Sequence, residues 1–131
     1  MSAPPLRPLA AAVVAVLALS ALSACSGDDS SAGPALSPLA AEGRSIVESA
    51  GCVSCHGQDG DGGVGPGWGG LAGSEVELDD GTTVVADAAY LTRAIAAPDE
   101  ERVAGYTVAM PANNLTAEEI EAVVAYLQEL S

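Results

Sequence analysis

Three residues able to do chemistry follow a predicted helix: Cys52, Cys55 and His56, in the order Cys-Val-Ser-Cys-His. Two thiols three positions apart on a helical turn can each add to one of the two vinyl groups of a haem, forming thioethers. The adjacent histidine then lies under the iron. The spacing predicts one covalently bound haem c, attached through both cysteines and ligated at the iron by His56.

A zinc knuckle, a thioredoxin-like redox pair and a chance match are the competing interpretations of this motif. A structural zinc ion needs four ligands, but His56 is the only histidine of the chain and the one other cysteine, Cys25, lies far upstream. A thioredoxin-like pair requires a βαβ context, whereas a glycine-rich stretch follows Cys55. Haem attachment is the favoured interpretation.

The second axial ligand follows from elimination, because few side chains bind low-spin haem iron: His, Met and sometimes Lys. The chain has no second histidine, no lysine, and only Met110 besides the initiator methionine. Met110 lies in a loop between two predicted helices, so it is not part of the apolar side of an amphipathic helix. A core-filling role is the alternative. We expect Met110 to ligate the iron, and thioether ligation raises the reduction potential.

The stretch 57–73 contains nine glycines together with Pro66 and Trp68, so it cannot be regular structure. A metal-bound histidine normally donates its other ring N–H to an acceptor that fixes the ring orientation. We expect this loop to wrap the site and the Pro66 carbonyl to accept that hydrogen bond from His56.

The helix before the motif is well delimited, with Ser37 as its cap, Pro38 at its first position and Gly51 as its stop. Its expected inner side consists of Leu39, Ile46, Val47 and Ala50. Asp80-Gly81 lies between runs 75–79 and 82–86 of high β propensity, which predicts a hairpin with a two-residue turn.

Two further helices are predicted after the hairpin. Asp87 caps a helix over 88–97 that Pro98 ends. A capping box, Thr116 to Glu119, begins the last helix. The apolar residues of that helix recur at helical spacing: Ile120, Val123, Val124, Leu127 and Leu130, flanked by Tyr126. The fold class is therefore mostly α, with three to four helices around the haem and one small hairpin.

The N-terminus carries a targeting pattern. An apolar run from Leu9 to Leu22 follows Arg7 and is shorter than the roughly 20 residues that span a bilayer, which is typical of a signal peptide. The sequence Leu-Ser-Ala-Cys at 22–25 resembles a bacterial lipobox. We predict a signal peptide over 1–24, a lipidated Cys25 and a protein exported to the outer face of the cell membrane. An ordinary signal peptide with an incidental cysteine is the alternative.

Residues 26–37 show no apolar period and are expected to form, with Cys25, a flexible tether spanning about 20 Å. The folded domain is then 38–131. The chain has 18 acidic residues against 4 arginines, with a net charge of −14, which excludes nucleic acid as a partner. Aromatic residues make up only 3 %, so a domain of this size needs a further group to fill its core.

The folded domain resembles a class I cytochrome c. The matching residues are Cys52-x-x-Cys55-His56, the run from Gly65 to Leu71, Tyr90-Leu91, Gly105-Tyr106, Met110-Pro111, Leu115-Thr116 and Tyr126. The resemblance covers about 38–130. It implies that the first and last helices cross with Gly43 against Tyr126, and that Trp68 packs on the porphyrin or donates to a propionate. Arg93 and Arg102 are candidates for pairing with the propionates, and ordinary solvated arginines are the alternative.

More narrowly, the hairpin and the Tyr90 to Pro98 segment are similar to the cytochrome c domain of subunit II of caa3-type oxidases, here without that subunit's membrane helices and copper domain. The resemblance implies an electron carrier rather than an enzyme, working between a quinol-oxidising complex and a terminal oxidase. A haem subunit of a dehydrogenase is the alternative, and a haem-based gas sensor a weaker one. The lysine ring of mobile cytochromes c is absent, so the acidic surface either keeps the domain soluble or steers it toward a basic partner.

Overall fold

The computed structural model describes residues 35–130. The predicted signal peptide, Cys25 and most of the tether lie outside these residues. The described part contains four helices and one sheet, in the order α1 Pro38–Ser49, α2 Val53–His56, β1 Glu75–Glu77, β2 Thr83–Val85, α3 Ala88–Ala96 and α4 Ala117–Glu129. The expected fold class is confirmed.

Helix α1 begins where the capping signals predict, because the Ser37 side chain accepts a hydrogen bond from the Ala40 N–H and Pro38 occupies the first turn. Gly51, at φ +78°, reverses the chain after the helix. The predicted inner side is partly wrong: Ala40, Gly43 and Val47 are buried, whereas Leu39 is 41 % exposed. Ala50 is exposed as well. The small residues face inward because α4 crosses α1 at close range.

The crossing of α1 and α4 is made at Gly43. A Cβ atom there would collide with the Ala122 backbone carbonyl and lie 2.9 Å from Tyr126 Cβ. Tyr126 is 7 % exposed. The expected meeting of Gly43 with Tyr126 is therefore present, and it lets α1 and α4 pack at close range.

The hairpin is confirmed, but its predicted turn is wrong. Strands β1 and β2 pair antiparallel with Val76 opposite Val84. The Leu78 N–H donates to the Thr82 carbonyl at 2.8 Å and the Gly81 N–H to the Leu78 carbonyl at 3.0 Å. With Gly81 at φ +83°, this is a three-residue loop with glycine in the left-handed position rather than a two-residue turn.

Helices α3 and α4 agree with their capping signals. Asp87 accepts from the Tyr90 N–H at the start of α3, and α3 ends one residue earlier than predicted. Thr116 and Glu119 form the reciprocal capping box of α4. Helix α4 packs against both α1 and α3, and buried residues of all three helices belong to one apolar core. Among residues 35–130, no helix is long and apolar enough to cross a membrane.

A carboxylate from the last turn of α4 binds the beginning of α1. Glu129 Oε2 accepts a hydrogen bond from the Ser37 backbone N–H at 2.9 Å. Hydrogen bonding by Ser37, first through its side chain and then through its backbone, lowers the pKa of Glu129. A lowered folded-state pKa stabilises the fold above the ordinary pKa of Glu, and this stability is lost as the pH falls through the lowered value.

We expect Glu129→Gln to be less stable than the wild type at neutral pH. The difference in the free energy of unfolding should shrink as the pH falls through the lowered pKa of Glu129. Urea unfolding of the haem-loaded protein at neutral and acidic pH measures this difference. Glu42→Gln removes another exposed carboxylate, from α1, and should change little at either pH. A Glu129→Gln difference that stays constant with pH would contradict the assigned cause.

Candidate functional site

The two cysteines and the histidine are carried by the short helix α2. The Cys52 N–H donates to the Val47 carbonyl at 3.0 Å, which ties the helix to the last turn of α1. The His56 N–H donates to the Cys52 carbonyl at 3.1 Å and completes the helical turn. Cys52, Cys55 and His56 are half-buried, and all three line one cavity of about 930 Å³.

The expected hydrogen bond between His56 and the Pro66 carbonyl is present, with His56 Nδ1 2.7 Å from the oxygen. A carbonyl oxygen only accepts, so Nδ1 carries the proton in this contact. The lone pair of the neutral ring is then on Nε2, which is left to bind a metal. The loop thus fixes both the tautomer and one atom of the ring.

Gly65 lets the loop backbone approach the imidazole. A Cβ atom at this position would lie 2.9 to 3.2 Å from His56 Cε1, Nδ1 and Nε2, closer than the 3.5 to 4.0 Å at which carbon atoms attract. Gly65 also donates its N–H to the Cys55 carbonyl at 2.9 Å. The residue before Pro66 is therefore restricted to glycine by the ring that it faces.

We expect Gly65→Ala to displace the His56 ring and to lower the haem content of the purified protein several-fold, as measured by absorbance per polypeptide. Gly69→Ala is the matched control in the same loop, because its nearest neighbour would be 4.0 Å away. Equal haem content in the two variants would show that the approach at Gly65 does not matter.

Trp68 stacks on His56, a contact that the sequence did not predict. The ring centroids are 4.9 Å apart and the planes differ by 24°, which lies within the range of favourable offset stacking. Trp68 is 6 % exposed and also lines the cavity. Only the fold reveals this contact, because the loop bends at 63–65 and brings a residue twelve positions along the chain onto the ring.

The remaining wall of the cavity comes from α3, α4 and the loop between them. It is largely apolar, and it includes Leu91, Ile95, Val123 and Leu127 together with Met110. Met110 is half-buried. Thus the structure brings every residue of the predicted site to one cavity: Cys52, Cys55, His56, Pro66, Trp68 and Met110.

The cavity residues fit a haem better than a bare metal ion. In the part of the chain that the structure describes, no three His, Cys, Asp or Glu side chains converge as an ion site, which counts against the zinc interpretation. The volume is at the upper end of ordinary ligand pockets. An apolar enclosure with two thiols, one imidazole and one thioether offers a macrocycle covalent attachment, axial ligands and a dry surrounding.

A family model described as Cytochrome c matches residues 40–131. The chain belongs to the cytochrome c family. A comparison with curated proteins found no match. Family membership confirms the predicted cofactor, because a cytochrome c domain carries covalently bound haem c, and it assigns the chain to haem-based electron transfer.

The thiols of this cytochrome are available for attachment. Cys52 and Cys55 are both free rather than joined in a disulfide. Burial, as the largest cause, raises the pKa of the Cys52 thiol. A raised pKa leaves less of the Cys52 thiol as thiolate at neutral pH and so makes spontaneous oxidation slower, since the thiolate is the reactive form.

The arginines proposed as propionate partners already face carboxylates. Arg93 Nη2 lies 3.4 Å from Glu101 Oε2, and Arg102 Nη2 lies 3.9 Å from Asp99 Oδ1.

Glu101 lines the cavity, and its Oε2 atom is buried without a hydrogen bond. Burial raises the pKa of Tyr90, and the negative charge of Glu101 adds to the effect. The sequence gives no sign that Glu101 turns inward, because it follows Asp99 and Glu100 in a run of three acidic residues.

Proposed function

We propose that this cytochrome is a membrane-tethered one-electron carrier whose haem iron is ligated by His56 and Met110. When bound, the haem supplies a one-electron Fe(II)/Fe(III) couple. The observation that carries the proposal is that His56, Met110 and both attachment cysteines line the same cavity. The chain contains one histidine and no lysine, so no other side chain of the usual low-spin ligand types competes for the second axial position.

The protein's own residues have separate tasks in this proposal. Cys52 and Cys55 would hold the cofactor covalently, and the hydrogen bond from His56 Nδ1 to the Pro66 carbonyl leaves the Nε2 lone pair available to the iron. The apolar residues of α3 and α4 exclude water, which favours the less charged, reduced state. If His56 and Met110 both bind the iron, they would keep small molecules off the metal. A carrier is favoured over a gas sensor for that reason.

The tether is the second part of the proposal. Lipidation of Cys25 would hold the domain at the outer face of the cell membrane, and two or more acyl chains give stable anchoring. Residues 26–37 would then let the domain reach partners on the same membrane at a raised effective concentration. We infer that electrons come from a quinol-oxidising complex and pass to a terminal oxidase.

The surface charge supports partners with basic docking sites. The three arginines of residues 35–130 each lie within 4 Å of a carboxylate, and the chain as a whole carries −14. A negative field of this size steers association with positively charged surfaces and repels acidic ones. We expect electron transfer to slow as ionic strength rises, since salt screens such steering.

The carrier role is tested with membranes from a strain of the source bacterium that lacks this protein. Purified oxidised cytochrome is added with a quinol, and its visible bands are followed before and after oxygen is admitted. We expect rapid reduction by quinol and rapid reoxidation by oxygen, both abolished by inhibitors of the respective complexes. A cytochrome that is reduced only by a dehydrogenase substrate would favour the dehydrogenase-subunit alternative.

We expect Cys25→Ala to release the mature protein from the membrane. Without the thiol no acyl chain can be attached, so the chain should appear in the exported soluble fraction or remain as an unprocessed precursor. Fractionation followed by mass spectrometry distinguishes these outcomes. Ser26→Ala, one residue further on, should remain in the membrane fraction with a mass that includes acyl chains. Cys25→Ala in the membrane fraction at its mature mass would contradict lipid anchoring.

A further inference from the structure

The orientation of the His56 ring is not fixed by its own rotamer preferences. The outer torsion of a histidine side chain, which sets the plane of the imidazole, is broad and weakly restricted. The hydrogen bond from Nδ1 to the Pro66 carbonyl at 2.7 Å holds one atom of the ring. A planar ring held at one atom can still pivot about that point, so a second contact is needed to set the plane.

Trp68 supplies that second contact. Its indole stacks on the imidazole with centroids 4.9 Å apart and 24° between the planes. A stacked neighbour opposes the pivot, because tilting the imidazole would either separate the rings or push them into collision. Pro66 and Trp68 are two residues apart, so one short segment provides both restraints.

The indole is itself held in place. The backbone N–H of Trp68, not its indole, donates to the Gly60 carbonyl at 2.7 Å, which fixes the backbone from which the indole projects. A Cβ atom at Gly60 would lie 3.4 Å from both Trp68 Cβ and Cε3, so the backbone of the wrapping loop lies against the indole. At 6 % exposure, the indole has little room to adopt another rotamer.

We propose that Trp68 is a positioning residue for the proximal ligand, which sets the plane of the His56 imidazole at the iron through ring stacking. The inference rests on the proposed function in one respect, namely that His56 ligates the iron. It goes beyond the expectation that Trp68 packs on the porphyrin or donates to a propionate, because the partner here is the histidine ring.

The test compares Trp68→Leu and Trp68→Phe in the haem-loaded protein. The electron paramagnetic resonance spectrum of a low-spin ferric haem depends on the planes of its axial ligands. We expect Trp68→Leu to replace the single wild-type set of g values by two or more sets, since the imidazole then takes several orientations. Trp68→Phe keeps a stacking ring and should give one set. Wild-type g values in Trp68→Leu would overturn the proposal.

Ile120→Ala is the control for general loosening of the core, because Ile120 is 7 % exposed and belongs to the core rather than to the cavity wall. This variant should lose stability and keep a single set of g values. A spread of g values equal to that of Trp68→Leu would overturn a specific role for Trp68. So would equal spreads in Trp68→Leu and Trp68→Phe.

A second measurement needs no variant and covers the case in which Trp68→Leu fails to load haem. In the diamagnetic reduced protein, nuclear Overhauser effects between indole and His56 ring protons should be strong. Their absence would overturn the stacking role. Failure of the proposed function is seen separately, as a wild-type ferric spectrum without low-spin histidine–methionine character.

Discussion

Met110→Ala should lower the reduction potential and open the iron to external ligands. The thioether favours ferrous over ferric iron, so its removal stabilises the oxidised state. A hundredfold loss of ferrous preference corresponds to about 120 mV for one electron, and we expect a fall of at least this size. A redox titration followed by visible absorbance measures the potential. Stopped-flow mixing of the reduced protein with carbon monoxide measures access to the iron.

The control for this variant is Thr107→Ala, three positions away in the same loop. Thr107 is exposed, and its loss should leave both the potential and the slow carbon monoxide reaction unchanged. If Met110→Ala kept the wild-type potential and excluded carbon monoxide, Met110 would be a packing residue and another group would hold the sixth position.

Gly43→Val should destabilise the fold by about 3 kcal/mol or more, at the upper end of the cost of overpacking. The obstacle is the backbone carbonyl of Ala122, with Tyr126 Cβ 2.9 Å from the added Cβ. A backbone carbonyl in the middle of a helix cannot rotate away, so α1 and α4 must separate. Urea unfolding of the haem-loaded protein, followed by the far-ultraviolet helix signal, measures the change.

Ala41→Val adds the same kind of branched side chain to α1 at an exposed position, and it isolates the helix-propensity cost of a β-branched residue. That cost should be below about 1 kcal/mol. A similar loss in both variants would mean that the crossing is loose enough to absorb a side chain, and that Gly43 is not required by the packing.

The helix boundaries were predictable because they depend on local chemistry. Ser37, Asp87 and Thr116 each cap a helix through their own side chains, and these contacts extend over only three residues. The inward face of α1 was less predictable, since a hydrophobic count favours Leu39 over Gly43. Close approach between two helices selects small residues, and a single sequence does not show where that approach occurs.

The hairpin was likewise predictable only where local chemistry determines it. The Asp-Gly pair correctly marked the reversal, but the loop has three residues because the Leu78 N–H pairs with Thr82. Leu78 is also bridged to Val103 and is 5 % exposed. A contact with a distant segment thus holds Leu78 in the core and sets the register of the hairpin. Local turn preferences do not predict such a contact.

The residues of the site were predictable by elimination, while their mutual contacts were not. A chain with one histidine and one internal methionine leaves few choices of ligand, and the Cys-x-x-Cys-His spacing locates the attachment point. The stacking of Trp68 on His56 and the burial of the Glu101 Oε2 atom depend on how loops fold back. Trp68 and His56 are distant in sequence, and Glu101 lies in an acidic run that looks like ordinary surface.

The most direct test of this account is the mass and the ferric spectrum of the mature protein, made with haem-attachment machinery present. We predict a polypeptide heavier by one haem, with the weak long-wavelength band of thioether-bound ferric iron and little binding of cyanide. A colourless polypeptide that still folds, or a coloured one that lacks this band and binds cyanide at once, would contradict the ligation of haem iron by His56 and Met110.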